Sequence, residues 1–294
     1  MDYYVLLAGG VGAAKFIQGL AKIVDPQQLK IIINTGDDLE LFGLKICPDI
    51  DIITYTLAGL VDENKCWGFS DDTFNCLKVL DYYYKEKWFN LGDKDLATHI
   101  FRTDLFKQGY NKTEITSKIT EKLHVKSHLI PMCNEEVQTY IETEFGLIHF
   151  EEYYIKYHYQ PKVKSIKYYG IENASVSESI KKYILGAKKV IICPSNPIVS
   201  IGTILNIPGI KKSLTNVKEK VYGISPIIQG TTIKGPADKL MEILNLEISC
   251  VGVAKYYKEF LGHFIIDLKD CNHKQEIDEL GIKTYCFDTI GFLR

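Results

Sequence analysis

The sequence lacks the patterns that mark several common classes of protein. Its eight cysteines include no CxxC pair and no cysteine/histidine spacing typical of zinc sites. No apolar run approaches the roughly 20 residues that span a bilayer. The N-terminus, MDYYVLLAGG, has no basic region and no cleavage site of a signal peptide. These absences predict a cytoplasmic protein with reduced thiols and no membrane partner.

An excess of charge of one sign is also absent. The chain has 35 Lys and Arg against 37 Asp and Glu, a net charge of -2, and no block of basic residues. This balance argues against nucleic acid as a partner. Repeats and low-complexity segments are missing too. The remaining composition, 46% hydrophobic and 24% charged, is that of an ordinary globular protein. A length of 294 residues suits one α/β domain over 1–294 with an insertion.

Short apolar runs that end in turn residues recur along the chain and are typical of buried parallel strands. The clearest are Tyr3–Ala8, Lys30–Asn34, Lys189–Cys193, Val221–Ser225 and His263–Asp267. Helical patterns alternate with them, which predicts a Rossmann-like three-layer α/β sandwich with a mostly parallel sheet. Residues from about 90 to 165 mix helical and hairpin patterns, and we expect them to form a smaller inserted region.

A glycine-rich turn follows the first apolar run. Gly9, Gly10 and Gly12 stand before a helix that opens near Ala13, where backbone N–H groups and the helix dipole can bind a phosphate. The turn has no Gly-Lys-Ser/Thr ending of a Walker A loop and no clean GxGxxG pattern. A tight turn without a ligand is the alternative interpretation. Lys15, in the first helical turn, fits a bound phosphate and simple solvation equally well.

Four aspartates follow the second apolar run. Asp37 and Asp38 come directly after it, and Asp49 and Asp51 stand in the segment CPDID. Ligands of open α/β sheets lie at the carboxyl ends of strands. Because close carboxylates repel one another unless a cation lies among them, Mg²⁺ is the predicted ligand. The alternative is that these are ordinary turn and N-cap aspartates.

Two helix starts can be placed from their capping residues. We expect a short helix over Asp51–Leu60, capped by an aspartate, and a second helix that begins after Asp71 or Asp72 and continues through Tyr84.

The segment from about Asn272 to the end shows no recognisable feature and is given no role.

Other candidate residues lie farther along the chain. Trp67 can stack on a flat ligand or pack in the core. Asp95 and His99 are four residues apart on one helical face, which suits metal binding, acid/base chemistry or a structural hydrogen bond. The loop after Cys193, Pro194-Ser195-Asn196-Pro197, carries hydrogen-bonding groups at another strand end, which is again the ligand edge.

The whole succession of motifs resembles the 2-phospho-L-lactate transferase family, in order from Leu7 to about Tyr257. The segments that carry the resemblance are AGGVGAAKFIQGL, INTGDDLELFGLKICPDIDIITYTLAGL, WGFSDDTF, LGDKDLATHIFRTDLF, IPMCNEEVQTYIET, CPSNPIVSIGTILNIPGI, SPIIQGTTIKGPADKLM and GVAKYY. It implies an enzyme that moves a phospholactyl or phosphoenolpyruvyl group from a guanosine diphosphate-type donor to the ribityl hydroxyl of the deazaflavin Fo. GMP leaves, Mg²⁺ is required, and a homodimer is expected in the synthesis of coenzyme F-420.

The same resemblance implies roles for single residues. The donor phosphates and nucleotide would lie at Gly9, Gly10, Gly12, Ser195, Asn196 and Ser200. Fo would lie at Asp49, Asp51, Lys94, His99 and Trp67. Mg²⁺ would be held among Asp37, Asp49 and Asp51. Asp51 is the first choice, and Asp37 the second, for the catalytic group that orients or deprotonates the Fo hydroxyl. Many members carry Arg near Lys94, so Lys94 or Arg102 is expected to supply positive charge.

Two other functions are compatible with the predicted fold. A nucleotide-sugar-binding regulator of central metabolism would keep the glycine loop without any transfer activity. The Pro-Asp-Ile-Asp run and the WGFSDDTF segment argue against it, because an acceptor site would need them. An NAD-dependent redox enzyme is disfavoured because the glycine pattern is wrong and no ribose-binding acid ends the second strand in the usual way.

Overall fold

The computed structural model describes residues 2–62, 65–85, 88–232 and 235–290, in which strands and helices alternate. The strands are β1 (Tyr4–Ala8), β2 (Leu29–Ile33), β3 (Leu39–Leu41), β4 (Leu44–Ile46), β5 (His128–Pro131), β6 (Gln138–Thr143), β7 (Gly146–His149), β8 (Val163–Tyr169), β9 (Lys189–Ile192), β10 (Val221–Ile224), β11 (Ile227–Ile228), β12 (Thr231–Thr232), β13 (His263–Asp267) and β14 (Lys283–Phe287). The helices are α1 (Gly10–Leu20), α2 (Pro48–Leu57), α3 (Asn75–Leu80), α4 (Asp93–Lys107), α5 (Lys112–Lys122), α6 (Glu178–Gly186), α7 (Ile201–Asn206), α8 (Ile210–Thr215), α9 (Ala237–Ile243), α10 (Cys250–Tyr257) and α11 (Lys274–Glu279). None of these helices is long and apolar enough to cross a membrane.

Seven strands form one parallel sheet in the order β14-β13-β10-β9-β1-β2-β5. The chain extends the sheet from β1 toward β2 on one side and toward β9 on the other. The strand order therefore reverses at β1. Ligands of open α/β sheets bind outside the carboxyl ends of the strands at such a reversal. The predicted α/β class with a mostly parallel sheet is confirmed.

Alternate residues of β1 pack on opposite faces of the sheet. Leu6 and Ala8 belong to the core that includes α1 and α2, whereas Val5 and Leu7 belong to the core that includes α6, α7, α8 and α10. All four side chains are fully buried. A strand buried on both faces favours apolar residues at every position, which explains why β1 is a continuous apolar run.

We expected the region from about 90 to 165 to form a single insertion, but it does not. Within it, His128–Pro131 forms β5, which pairs in parallel with β2 at the edge of the main sheet. Helices α4 and α5 precede that strand and belong to the crossover from β2. The separate module is the antiparallel sheet β7-β6-β8, which extends to Tyr169 and contains the predicted hairpin.

The C-terminal segment, to which no role was given, completes the main sheet. Helix α11 leads into β14, which pairs in parallel with β13. Cys271 and Cys286 lie at this edge with their Cα atoms 5.8 Å apart and are joined by a disulfide bond. The expectation that all thiols are reduced is therefore wrong for this pair. The last residues of the segment, 291–294, lie outside the described residues.

The side chains of Asp72 and Asp93 connect the starts of two helices. Asp72 caps the first turn of α4, and Asp93, the first residue of α4, caps the first turn of α3. The predicted cap Asp72 accepts a hydrogen bond from the N–H of Lys94, at 2.8 Å, in the first turn of α4. Asp93 accepts one from the N–H of Asn75, at 3.0 Å, in the first turn of α3. The prediction of a helix that Asp71 or Asp72 caps and that runs through Tyr84 is wrong, because α3 is shorter and Asp72 serves α4.

Replacing Asp72 by alanine should lower the free energy of unfolding by about 1 kcal/mol, because the first turn of α4 loses its side-chain acceptor. Asp72→Asn keeps an acceptor oxygen and should lose much less. Urea unfolding followed by circular dichroism measures both variants. Glu121→Ala, at an exposed position of α5, serves as the control. Equal stability of wild type and Asp72→Ala would contradict the capping role.

Candidate active site

A cavity of about 540 Å³ opens at the carboxyl ends of β1, β2 and β9. Three loops that follow these strands supply much of its wall. The candidate residues that line it are Gly9, Gly10, Gly12, Asp37, Asp49, Asp51, Trp67, His99, Ser195, Asn196 and Ser200. The reversal of strand order thus brings together residues that are far apart in the sequence.

Lys94, one of the predicted Fo contacts, does not line this cavity. Its ammonium group donates a hydrogen bond to the backbone oxygen of Ser70 at 2.8 Å. Asp95 and His99 share the helical face that lines the cavity, whereas a residue one position earlier points about 100° away from that face. The geometry therefore does not support the predicted contact of Lys94 with Fo.

The glycine loop packs too closely against its neighbours for side chains. A Cβ atom at Gly9 would lie 2.6 Å from Oδ2 of Asp49, and one at Gly12 would lie 2.5 Å from the backbone oxygen of Pro194. Gly10 has a φ of +72°, a conformation that glycine adopts at low cost. The loop therefore brings its backbone directly against α2 and the loop after β9.

Two backbone N–H groups of the glycine loop bind protein side chains. Gly10 donates to Oδ1 of Asp49 at 2.7 Å, and Gly9 donates to Oγ of Ser195 at 3.2 Å. The predicted phosphate contact at Gly10 thus competes with Asp49. Gly9 is the N-cap of α1 and offers no side-chain cap. The N-terminal turn of α1 still presents its dipole to the cavity, where Gly12 lies in the wall.

Asp49 and Asp51 point in different directions from the first turn of α2. This helix begins at Pro48 with Cys47 as its N-cap, so the predicted aspartate cap is wrong. Residues two apart on a helix do not face each other. Asp49 contacts the glycine loop, whereas Asp51 contacts α4. The four predicted carboxylates therefore do not form one cluster, because Asp49 and Asp51 lie on different sides of α2.

Asn34 bridges Asp37 and Asp49. Its Nδ2 donates to Oδ2 of Asp37 at 3.0 Å and to Oδ2 of Asp49 at 2.9 Å. Its Oδ1 accepts from the N–H of Gly36 at 2.9 Å. Oδ1 of Asp37 is buried and has no hydrogen-bond partner among the described residues. Our sequence analysis did not assign Asn34 to the site, although a polar residue at the end of a buried strand was the available signal.

Asp38 lies apart from the other three aspartates because it forms an ion pair with a lysine. Its Oδ2 lies 2.8 Å from Nζ of Lys112, whose side chain is buried at the start of α5. Asp38 does not line the cavity. The carboxylates of Asp37 and Asp49 are therefore the pair that remains at the end of β2.

Burial raises the pKa of three carboxyl groups at this end of the cavity. The pKa of Asp37 is well above its usual range because of burial first, then the charges of Asp49 and Glu151. Burial raises the pKa of Asp49 to about 6 against the opposing effect of its hydrogen bonds. Burial and the charge of Asp49 raise the pKa of Glu151 to about 8. The set consists of oxygen ligands only, which suits Mg²⁺.

Glu151 was missed by the sequence analysis. Its side chain is 7% exposed and lines the cavity. It immediately precedes a π-helical turn, Glu152–Lys156, and such turns occur frequently at functional sites. The local sequence around Glu151 carries no motif. Its position depends on how the β7-β6-β8 sheet packs against the main sheet.

Asp51 forms a buried ion pair with Arg102 of α4. Nη1 of Arg102 donates to Oδ2 of Asp51 at 3.0 Å, and Nη2 donates to Oδ1. Burial raises the pKa of Asp51, and the charge of Arg102 opposes this shift. Both carboxylate oxygens accept from a guanidinium that already neutralises the charge of Asp51, so the geometry does not favour the predicted roles of Asp51 as proton acceptor and metal ligand. Nη1 of Arg102 also donates to the backbone oxygen of Lys45 at 3.4 Å, and Arg102 does not line the cavity.

His99 joins the ion pair to Asp95. Its Nδ1 lies 3.1 Å from Nη1 of Arg102. Because a guanidinium can only donate, Nδ1 accepts and the ring proton lies on Nε2, 3.3 Å from Oδ2 of Asp95. Asp95 also accepts from the hydroxyl of Tyr55 at 2.7 Å. Asp51, Asp95 and His99 offer ligand atoms within 4.8 Å of one another, but Arg102 already places a positive charge among them.

The loop after β9 forms another part of the wall. Ser195 and Ser200 are buried, and both line the cavity. Oδ1 of Asn196 accepts from the N–H of Ile198 at 2.9 Å and from that of Val199 at 3.2 Å. The amide nitrogen of Asn196 is therefore left as a donor beside the cavity. The three residues predicted to bind the donor nucleotide thus lie in one loop, which offers both hydrogen-bond donors and hydrogen-bond acceptors.

The aromatic residues of the WGFSDDTF segment have different positions. Trp67 is 40% exposed and lines the cavity. Phe69 packs on Tyr55 with ring centroids 4.2 Å apart. Trp67 therefore presents an indole surface to the cavity, whereas Phe69 is used in packing.

Sequence comparison identifies the family of the chain. The family model described as 2-phospho-L-lactate transferase CofD matches residues 4–285. The chain belongs to the 2-phospho-L-lactate transferase family. Its predicted class, a transferase, is confirmed.

Named relatives of the family are similar over nearly the whole chain. The 2-phospho-L-lactate transferase of Methanosarcina acetivorans is 36% identical over 286 residues, 97% of this chain and 92% of that protein. The phosphoenolpyruvate transferase of Streptomyces griseus is 36% identical over 285 residues, 95% of this chain and 90% of that protein. Overall identity therefore does not separate the two named activities.

Solved structures share the fold at lower identity. A member of the upf0052 family from Bacillus halodurans superposes with a TM-score of 0.60 and is 14% identical, covering 100% of this chain and 99% of that one. Similarity at this identity shows the fold alone.

The buried carboxyl groups should make the metal-free protein less stable as the pH rises from about 5 to about 8. Their folded-state pKa values exceed the unfolded value of about 4, so the folded state binds more protons and the free energy of unfolding falls as those protons leave. Urea unfolding in EDTA across this range measures the slope. Glu151→Gln should flatten it. Stability that rises with pH in both proteins would contradict the assignment.

Arg102→Met should lower the free energy of unfolding by about 3 kcal/mol or more, because it leaves the charge of Asp51 buried and unpaired. The double variant Asp51→Leu with Arg102→Met removes both charges and should recover most of that loss. Urea unfolding of the two single variants and the double variant measures the coupling. Strictly additive effects would show that the two side chains do not form the pair described.

Proposed function

We propose that the protein transfers a 2-phospholactyl or phosphoenolpyruvyl group from a guanosine diphosphate-type donor to the ribityl hydroxyl of Fo, giving F-420-0 and GMP. The observation that carries this proposal is the cavity where the glycine loop, the Asp37–Asp49 pair and the loop of Ser195 meet. Phosphoryl-type transfer depends mainly on positioning and charge neutralisation, and these three parts can supply both. Membership of the family supports the reaction class.

The residues present fit a magnesium ion. Asp37 and Asp49 face the cavity with oxygen ligands, and Oδ1 of Asp37 is buried without a partner among the described residues. A bound Mg²⁺ would neutralise the diphosphate charge. We assign the ion to Asp37 and Asp49. Asp51, the third ligand expected, is held by Arg102 instead.

The donor would occupy the side of the cavity between the glycine loop and the loop after β9. The N-terminal turn of α1, at Gly12, would donate to a phosphate oxygen. Asn196 and Ser200 offer side-chain hydrogen-bonding groups for the nucleotide. Because Gly10 binds Asp49, its N–H positions the metal-binding carboxylate and does not serve the phosphate in this arrangement.

The acceptor would occupy the side formed by α2, α4 and Trp67. The flat deazaflavin ring would stack on the half-exposed indole. The polar cluster of Asp51, Arg102, His99 and Asp95, joined by hydrogen bonds and close ion-pair contacts, forms the wall behind it. In this account the polar cluster orients the acceptor and does not take part in proton transfer. A homodimer and a cytoplasmic location stay predictions.

Turnover should require Asp37, Asp49 and Mg²⁺. We expect Asp37→Asn and Asp49→Asn each to lower turnover by about a hundredfold or more, and EDTA to abolish it. The assay mixes protein, Fo and either the lactyl or the enolpyruvyl donor, and detects F-420-type product and GMP by chromatography. Asp104→Asn, an exposed position on α4, is the control.

Comparison of the two donors in this assay also identifies the three-carbon acid that the enzyme transfers, because the natural donor should show the larger kcat/KM. Absence of product and GMP with both donors, in the presence of Mg²⁺, would contradict the proposed transfer. Binding of a UDP-sugar by the same protein would then favour the regulator function.

A further inference from the structure

The carboxyl group of Glu151 has no assigned role in the transfer described so far. Glu151 is only 7% exposed, yet it lines the cavity. Its backbone N–H donates to Nδ1 of His149 at 3.2 Å, which fixes the chain at this point. Among the described residues, nothing donates a hydrogen bond to its carboxylate and no cation pairs with it. A buried polar group without a partner is costly in a folded protein.

The described groups that act on Glu151 form no hydrogen bond to its carboxyl group. The charge of Asp49 from α2 acts on it, and its own charge acts on Asp37 after β2. Tyr154 of the adjacent turn has its pKa raised by burial and by Glu151. Among the described residues, none of these neighbours donates a hydrogen bond to Glu151, so its carboxyl group is open to a donor on a ligand in the cavity.

Glu151 differs in this respect from the other carboxylates of the cavity wall. Those within the described residues are Asp37, Asp49, Asp51, Asp95 and Glu151. Asn34 donates to the first two, Arg102 to the third and Tyr55 to the fourth. A proton acceptor in catalysis needs a free oxygen that reaches the reacting group. Asp37 also keeps a free oxygen, Oδ1, but we assign Asp37 to the metal ion. Glu151 is therefore the carboxylate of this wall, among the described residues, that has neither a protein donor nor an assigned role.

We propose that Glu151 accepts the proton of the attacking hydroxyl group of the acceptor. This inference rests on the proposed function. The hydroxyl oxygen forms a bond to the phosphorus that carries the three-carbon acid. The bond from that phosphorus to the bridging oxygen breaks, and its electron pair leaves with GMP. The hydroxyl proton moves to the Glu151 carboxylate and then to solvent, so atoms and charge balance.

Glu151→Gln tests the role because glutamine keeps the shape and the hydrogen-bonding capacity of the side chain but cannot take the proton. We expect kcat to fall by about a hundredfold to ten-thousandfold, with KM for Fo and for the donor changed by less than about threefold. Glu151→Asp keeps a carboxylate on a shorter side chain and should recover part of kcat. Glu152→Gln, whose side chain pairs with Lys156 and does not line the cavity, should behave as wild type.

Two further measurements separate catalysis from structure. The urea midpoint of Glu151→Gln should equal or exceed that of wild type, because the variant removes a buried ionisable group. Fo binding followed by its fluorescence should be retained. A lower urea midpoint together with lost Fo binding would overturn the inference in favour of a structural role.

The outcomes also distinguish this inference from the proposed function. Full kcat in Glu151→Gln, measured beside an active wild type, would overturn the role of Glu151 and leave the transfer intact. An inactive wild type with both donors would instead contradict the transfer itself.

Discussion

The amide group of Asn34 holds together two carboxylates that would otherwise repel each other. It donates to Asp37 and Asp49 at once, and Asp49 in turn accepts from the N–H of Gly10. These hydrogen bonds join the ends of β1 and β2 to the first turn of α2, where all three polar side chains are buried. In such surroundings a carboxylate pair favours protonation or a divalent cation. The glycine loop and the sites that we propose for the metal and the donor all depend on this bridge.

The second constraint is the opposite orientation of Asp49 and Asp51 on α2. One turn of helix sends Asp49 to the donor side and Asp51 to Arg102 on the acceptor side. A single acidic motif therefore serves two purposes. It contributes to a cation site and it neutralises a buried guanidinium. This division leaves the proton-accepting role to a residue outside the motif, at Glu151.

Much of the fold and part of the site could be predicted from local patterns. The apolar runs of β1 and β2 and the glycine turn after β1 are signals within a few residues, so the parallel sheet and its ligand edge followed from them. The direction of Asp51, the edge position of β5 and the disulfide between Cys271 and Cys286 depend on contacts between distant segments. Glu151 belongs to the same class, because only the packing of a separate small sheet brings it to the cavity.

The most direct test of the account is the position of the metal ion. Crystals grown with Fo, a donor analogue and Mn²⁺ in place of Mg²⁺ would locate the ion by its anomalous scattering. The account predicts an ion bound by Asp37 and Asp49, with Asp51 still paired to Arg102. An ion bound among Asp51, Asp95 and His99, with Arg102 displaced, would contradict it.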